Sequence, residues 1–363
     1  MINQAISRVV RGQDLTEQEM SEVMDQILDG RATPAQIGAF ITALRVKGET
    51  VDELVGAAKA VRAKSKKIHI QNHLVNIDRD EINIDEETIL DTCKTGSAET
   101  NTFNVSTATA FTVAGAGVRV AKHGTRLRSR RCSSTEVLEN LGIRLDINDA
   151  NIEQCIREIG IGFLYAPLYQ GAMKYAAAPR REIGIRTIFN LLGPLTNPAG
   201  ATAQVLGVYF PGLTDKMAQV LARLETREAF VVCSEGTFDE ISICGPTRIS
   251  HLKEHKITTF EITPEEFGLP RARPESITGG NARENARIVR SILEGERGPR
   301  RDMVLLNAAA AFVVAGLDND LREGIERAKE SIDSGKAKEK LDALIKFTQN
   351  CGGFVRKQLF AGL

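Results

Sequence analysis

The chain carries no excess of either charge: 47 lysines and arginines are matched by 47 aspartates and glutamates over 363 residues. The whole molecule therefore has no electrostatic bias toward nucleic acid or an anionic membrane, and any polyanion binding has to be local. Long apolar runs are also missing. The longest, such as Ala308 to Gly316, fall far below a membrane span, and the N-terminal MINQAISRVVRG is amphipathic without a signal-peptide core. A soluble, cytoplasmic protein is predicted. Six cysteines are scattered without a CxxC pair, a pattern that predicts reduced and mostly buried thiols in place of a disulfide frame or zinc site. Cys132 alone sits in a basic stretch of the kind that lowers a thiol pKa. No His-Asp or Ser-His pair offers itself for nucleophilic catalysis.

What is present begins with helix starts. Thr16-x-x-Glu19 and Thr50-x-x-Glu53 read as capping boxes, Thr33-Pro34-x-Gln36 adds proline at the first helical position, and Gly30 and Gly48 supply stops. Three helices are predicted in the first 65 residues. Ile37, Phe40, Ile41 and Leu44 give the second an apolar face of the kind that often meets a partner subunit. From about residue 88, strand and helix patterns alternate. TILDTC, VRVAKHG, GIGFLYA, AQVLGVYF and AFVVCSEG read as strands, with helices over 106–115, 134–141 and 215–225 among them. This predicts an α/β fold: a small helical domain over 1–70, open to a later helix joining it, a larger α/β domain with a largely parallel sheet over 71–348, and a tail over 349–363. Segment 244–263 reads as a turn, a short helix and a strand. Within it HLKEH has the H-x-x-E-H spacing, but that metal site needs a long helix and a further ligand, so no zinc is expected.

Ligands of such sheets bind beyond the carboxyl ends of the strands, and the informative segments fall there. DTCKTGSAETNTFNVST, residues 91–107, has a glycine turn and Asn-x-Ser-Thr opening an alanine-rich helix, a cradle whose exposed N–H groups attract phosphate. It has only one glycine, Gly96. Between Arg119 and Arg131 stand six lysines and arginines and no acid, with Ser129, Ser133 and Ser134 able to donate to phosphate oxygens. Asp239-Glu240 could hold a hydrated Mg²⁺ that also touches a diphosphate, although adjacent carboxylates on an extended segment point to opposite sides. Arg180-Arg181, after a proline and before a helical stretch, offers a guanidinium for a planar carboxylate.

Taken in order, TPAQIGAFITALRVKGET, LDTC-x-TG, FNVSTATAF, VAKHG, RTIFNLLGPLTNPA, FDEIS with CGPT, and ITPEEFGL resemble the anthranilate phosphoribosyltransferase family over residues 1 to 348. The resemblance implies a homodimer built on the helical domain. It also implies Mg²⁺-dependent transfer of phosphoribosyl from 5-phosphoribosyl 1-diphosphate (PRPP) to the amine of anthranilate or a related aromatic acid, with release of diphosphate. It implies that Lys94, Gly96, Ser97, Thr102, Asn104, Ser106, Thr107, Lys122 and Ser134 line the PRPP site. Ser106, Asp239 and Glu240 would face the metal, and Arg180, His123 and Thr125 the acceptor. It supplies no catalytic acid or base.

The departures from that family surround the same pocket. Gly-Thr-Gly-Gly-Asp-Gly is here Lys94-Thr95-Gly96-Ser97-Ala98-Glu99, Lys-His-Gly-Asn ends in Thr125, Leu127 and Arg130 replace small residues, and the usual His-Pro is Gln170-Gly171. Side chains project where backbone was bare, so PRPP requires a shifted loop, or Lys94 binds phosphate as a point charge. The alternative is a silent or re-specialised paralogue that holds a polyanion such as single-stranded nucleic acid on the 119–131 loop. The absence of aromatic stacking residues near that loop and the neutral charge balance weigh against it. A nucleoside phosphorylase of the same fold is a weaker match to DTC-x-TG and FNVST.

Overall fold

A computed structural model describes residues 1–70, 73–75, 84–86, 88–96, 102–124, 132–235 and 238–352. Four helices, not three, open the chain: α1 (Ile2–Val10), α2 (Glu17–Leu28), α3 (Pro34–Lys47) and α4 (Val51–Lys64). All three expected capping boxes are formed, at Thr16/Glu19, Thr33/Gln36 and Thr50/Glu53. Helix α1 has no side-chain cap; burial of Ile2, Ala5 and Val9 along one face sustains it. Glu53 also accepts from Leu15 N (3.0 Å) and Lys47 Nζ (2.9 Å), so its buried carboxylate is satisfied from two other segments.

Among the described residues nine strands follow: β1 (His73–Val75), β2 (Ile84–Glu86), β3 (Ile89–Lys94), β4 (Arg119–Gly124), β5 (Ile161–Tyr165), β6 (Ala203–Gly207), β7 (Glu228–Ser234), β8 (Thr247–Lys253) and β9 (Lys256–Ile262). The first two form a small antiparallel ladder. The rest form one sheet in the order β5-β4-β3-β6-β7-β8-β9, parallel from β5 to β7 and antiparallel beyond. The helices among and after the strands are α5 (Val105–Gly115), α6 (Ser134–Leu141), α7 (Asp149–Gln154), α8 (Ala166–Tyr169), α9 (Lys174–Ile183), α10 (Ile188–Leu192), α11 (Leu213–Arg223), α12 (Ala282–Leu293), α13 (Pro299–Ala315), α14 (Leu321–Asp333) and α15 (Lys336–Asn350).

Strand alternation divides the core between the two faces of the sheet. Val205, Phe230 and Val232 face the side filled by α5, α12, α13 and α14, whereas Leu206, Ala229 and Val231 face α4, α10 and α11. The second cluster runs on without a break into α1–α3. No described helix is long and apolar enough to cross a membrane.

Two further local expectations fail. The stretch around HLKEH is a hairpin, not a short helix: β8 and β9 pair through a two-residue turn at Glu254 and His255, both with positive φ. His251 is used within the sheet, where its Nε2 lies 2.8 Å from Glu228 Oε1 and its ring meets Phe230 edge-on. Arg180 and Arg181 do not precede a helix; they lie inside α9, whose interior accommodates Pro179.

Candidate active site at the carboxyl ends of the parallel strands

Strand β3 ends at Lys94, which pairs in register with Gly207 at the end of β6. Gly96 follows with a φ of 84°, which a side-chain-bearing residue rarely adopts. Gly207 serves a different need. A Cβ there would lie 1.7 Å from the carbonyl oxygen of Asp239, because the segment after β7 folds back across the end of β6. Ser234 and Phe238 close that turn by exchanging backbone hydrogen bonds at 2.9 Å, Ser234 Oγ donates to Glu240 O (2.6 Å), and Asn307 of α13 clamps Ile241 through both its amide groups (3.1 and 2.7 Å).

The result differs from an extended dipeptide. Asp239 and Glu240 are both buried, and both reach the Lys94 ammonium, Asp239 Oδ1 at 3.2 Å and Glu240 Oε1 in contact. Thr102 Oγ1 donates to Glu240 Oε2 (3.2 Å). The two acids thus share the Lys94 ammonium and do not point to opposite sides of the chain.

Beside this pair, Lys122 on β4 points its buried ammonium at the start of α5. It donates to Thr92 O and to Ser106 Oγ (3.1 Å). Burial pulls its pKa down to about 8, against the opposing pull of Asp91. Asp91 is itself fully buried; burial raises its pKa to about 6, although it accepts from Asn197 Nδ2 (2.8 Å) and His123 N (3.3 Å). Asn104 precedes α5, yet its side chain does not cap the helix and instead accepts from Asn285 Nδ2 of α12 (3.0 Å). Thr107 Oγ1, in the first turn of α5, is buried with no hydrogen-bond partner among the described residues.

Next to Lys122 a recess is lined by His123, Gly124, Ser134, Thr135, Phe163 and Tyr165 among others. Ser134 is the first residue of α6, and Ser133 caps that helix in a box with Glu136. Burial holds the His123 pKa down at about 4, so the ring is neutral at physiological pH, and its Nε2 has no hydrogen-bond partner among the described residues. Arg180 comes from elsewhere: α9 packs on α2 and α3, and the Arg180 guanidinium stacks 4.9 Å over Phe189. Burial lowers its pKa to about 10, leaving it a cation at neutral pH.

The structure therefore brings together Lys94, Thr102, Ser106, Lys122, Asp239 and Glu240, with Asn104 and Thr107 on the same helix start. It does not join Arg180 to them by any described contact. Ser97 and Thr125 lie outside the described residues, as do Ala98, Glu99 and the basic positions Arg126 to Arg131. Cys132 departs from expectation, since burial pushes its thiol pKa up. Asp91, Asn197, Gly207, Ser234, Asn285 and Asn307 were not singled out by sequence reasoning. Asn307 carried a usable signal as the lone amide in the apolar run LLNAAAA.

Two family descriptions match the chain: "Glycosyl transferase family, helical bundle domain" over residues 3–65 and "Glycosyl transferase family, a/b domain" over 86–338. The chain is 55% identical over 348 residues to the anthranilate phosphoribosyltransferase of Geotalea uraniireducens, covering 96% of this chain and 99% of that protein. It is 56% identical over 348 residues to that of Geobacter sulfurreducens, with the same coverage. Among solved structures, the Thermus thermophilus enzyme superposes with a TM-score of 0.86 at 37% identity, over 95% of this chain and 99% of the other. The Saccharomyces cerevisiae enzyme in complex with PRPP and Mg gives 0.85 at 26% identity, over 96% and 98%. These relatives do not favour the polyanion-binding alternative.

Proposed function

The chain belongs to the anthranilate phosphoribosyltransferase family, and from that premise we propose that it transfers the phosphoribosyl group of PRPP to the amine of anthranilate, releasing diphosphate. The observation that carries this reading is the convergence of Lys122, the start of α5 and the Asp239–Glu240 pair at the ends of β3, β4 and β6. In the reaction the bond from C1 of the ribose to the diphosphate oxygen breaks and one from C1 to the amine nitrogen forms. The amine proton leaves to solvent or diphosphate. Negative charge grows on the leaving group, so the site has to supply cations and donors there. Lys122, Ser106, Thr107 and Asn104 form the PRPP side with Thr102, Gly96 and Ser134, and Ser97 is assigned to it as well. Arg180 takes the acceptor carboxylate, with His123 and Thr125 assigned to the same side. An aromatic amine is neutral near pH 7, so position matters more than a strong base.

The charge balance supports a need for metal. Three carboxylates, Asp91, Asp239 and Glu240, stand with two ammoniums, Lys94 and Lys122. Among the described residues a diphosphate would meet no net positive charge there. Asp239 and Glu240 are hard oxygen donors of the type Mg²⁺ takes in ones or twos beside substrate phosphates, and they would hold it with Ser106 near. When bound, the ion offsets the charge of the diphosphate. We further assign the chain to the cytoplasm, as a homodimer formed through the 1–70 helical domain ahead of a 71–348 α/β domain and a 349–363 tail. The test of activity is direct: anthranilate fluorescence should fall only when PRPP and Mg²⁺ are both present. Unchanged fluorescence at stoichiometric enzyme would reject the reading.

A further inference from the structure

We propose that Lys94 is a tethered cation that competes with a divalent metal ion for the Asp239–Glu240 pair, so that metal loading and release of the Lys94 ammonium are one event. This rests on the proposed role of those acids as metal ligands. It goes beyond that role, because the competitor is a side chain of this chain itself.

The local geometry makes the competition unavoidable. Lys94 is the last residue of β3, and its neighbour in register, Gly207, has no side chain to stand between it and the acids. The Asp239 carbonyl lies directly over Gly207, so the backbone of the acid pair is fixed within reach of the lysine. Lys94 touches both carboxylates, and through Glu240 it shares a partner with Thr102. The acid side chains are 0% and 3% exposed, whereas Lys94 is 22% exposed. Two adjacent buried carboxylates need counter-charge, and among the described residues Lys94 is in ion-pair contact with both. A metal ion takes the same oxygen lone pairs, and a metal and an ammonium cannot occupy that space together.

Lysine has a flexible four-carbon stem, and its partial exposure gives the displaced head a way out of the pair. Lys94 ends β3 at the strand's carboxyl edge, where the proposed PRPP site lies, so its released ammonium is available to the diphosphate. Metal binding in the absence of PRPP is therefore weak, and the diphosphate strengthens it by receiving the cation that the metal expels.

The experiment uses the full chain with Mn²⁺ or Mg²⁺ alone, without PRPP or anthranilate, and compares wild type with Lys94→Met and Lys94→Arg. Free Mn²⁺ is read by electron paramagnetic resonance and Mg²⁺ by calorimetry. Lys94→Met should bind either metal at least about tenfold more tightly than wild type, because a unit charge a few ångströms away has been removed. Lys94→Arg, which keeps the charge, should stay close to wild type. A second measurement needs no variant: acetylation of Lys94 in the wild-type chain, followed by mass spectrometry, should accelerate when Mg²⁺ is added. Equal affinities of wild type and Lys94→Met, or Lys94 reactivity indifferent to metal, would overturn the proposal. Turnover is absent from both readouts, so a failed competition and a failed transferase reading give different results.

Discussion

Gly207→Ala is the substitution whose effect the geometry fixes most narrowly. Gly207 is not in a left-handed conformation, so alanine faces no backbone strain there, and its narrower unfolded ensemble would by itself add about 0.4–1 kcal/mol of stability. The methyl group, however, would lie 1.7 Å from the Asp239 carbonyl oxygen and 2.5 Å from its carbon, and both are backbone atoms. The turn cannot give way easily, since Ser234 and Asn307 hold Glu240 and Ile241 from two sides. Overpacking of this kind costs about 1–3 kcal/mol. Net destabilisation of roughly 1–2 kcal/mol is expected in urea denaturation. The acid pair must also move by on the order of 1 Å, a displacement that typically lowers kcat/KM about a hundredfold. Gly352→Ala is the control, because a Cβ there meets nothing within 4 Å and the residue stands after the last helix, away from the site. The two variants would be compared by the loss of anthranilate fluorescence and by urea midpoint. Wild-type stability and turnover in Gly207→Ala would refute the claim that this glycine positions Asp239 and Glu240.

Other perturbations probe the remaining parts. Arg180→Ala should raise KM for anthranilate roughly ten- to hundredfold, the value of a charged hydrogen bond, while leaving KM for PRPP nearly unchanged; an equal rise in both would remove Arg180 from the acceptor side. Lys122 loses its proton as pH rises through about 8, so PRPP affinity measured by calorimetry should fall above that pH, and a flat profile from pH 7 to 9.5 would exclude the cation's role. The same group acts oppositely on folding. Its folded pKa lies below the ordinary lysine value of 10.5, the unfolded chain binds more protons between the two values, and Lys122 therefore makes stability rise with pH across that window. Lys122→Met should remove both trends. Asp239→Asn combined with Glu240→Gln should abolish the fluorescence change, and retained turnover would move the metal elsewhere.

Local signals carried well from sequence to structure. The three threonine capping boxes, the buried β-branched runs of β3, β6 and β7, and the Asn-x-Ser-Thr start of α5 depend on neighbours a few residues apart, and each stands where its pattern put it. Helix α1 escaped because packing, not a cap, sustains it. The β8–β9 hairpin escaped because its turn is Glu254-His255 and not the Asn-Gly or Asp-Gly that usually announces one. In the site, the residue types at Lys122, Ser106, Asp239 and Glu240 were legible, but their mutual geometry was not. The convergence of the two acids depends on a backfolded turn held by Ser234 and by Asn307, the latter 66 residues from Ile241 in sequence. The pairing of Lys94 with those acids likewise spans 145 and 146 residues. No local pattern reports contacts over such separations.

On the proposed reading, PRPP is received where Lys122, the start of α5 and the Asp239–Glu240 pair meet. The most direct test of that reading is a calorimetric titration of the full chain with PRPP, with and without Mg²⁺. One site per chain is expected with Mg²⁺, much weaker binding without it, and loss of the Mg²⁺ effect in the Asp239→Asn, Glu240→Gln double variant. No binding heat for PRPP under either condition, at several temperatures, would contradict it.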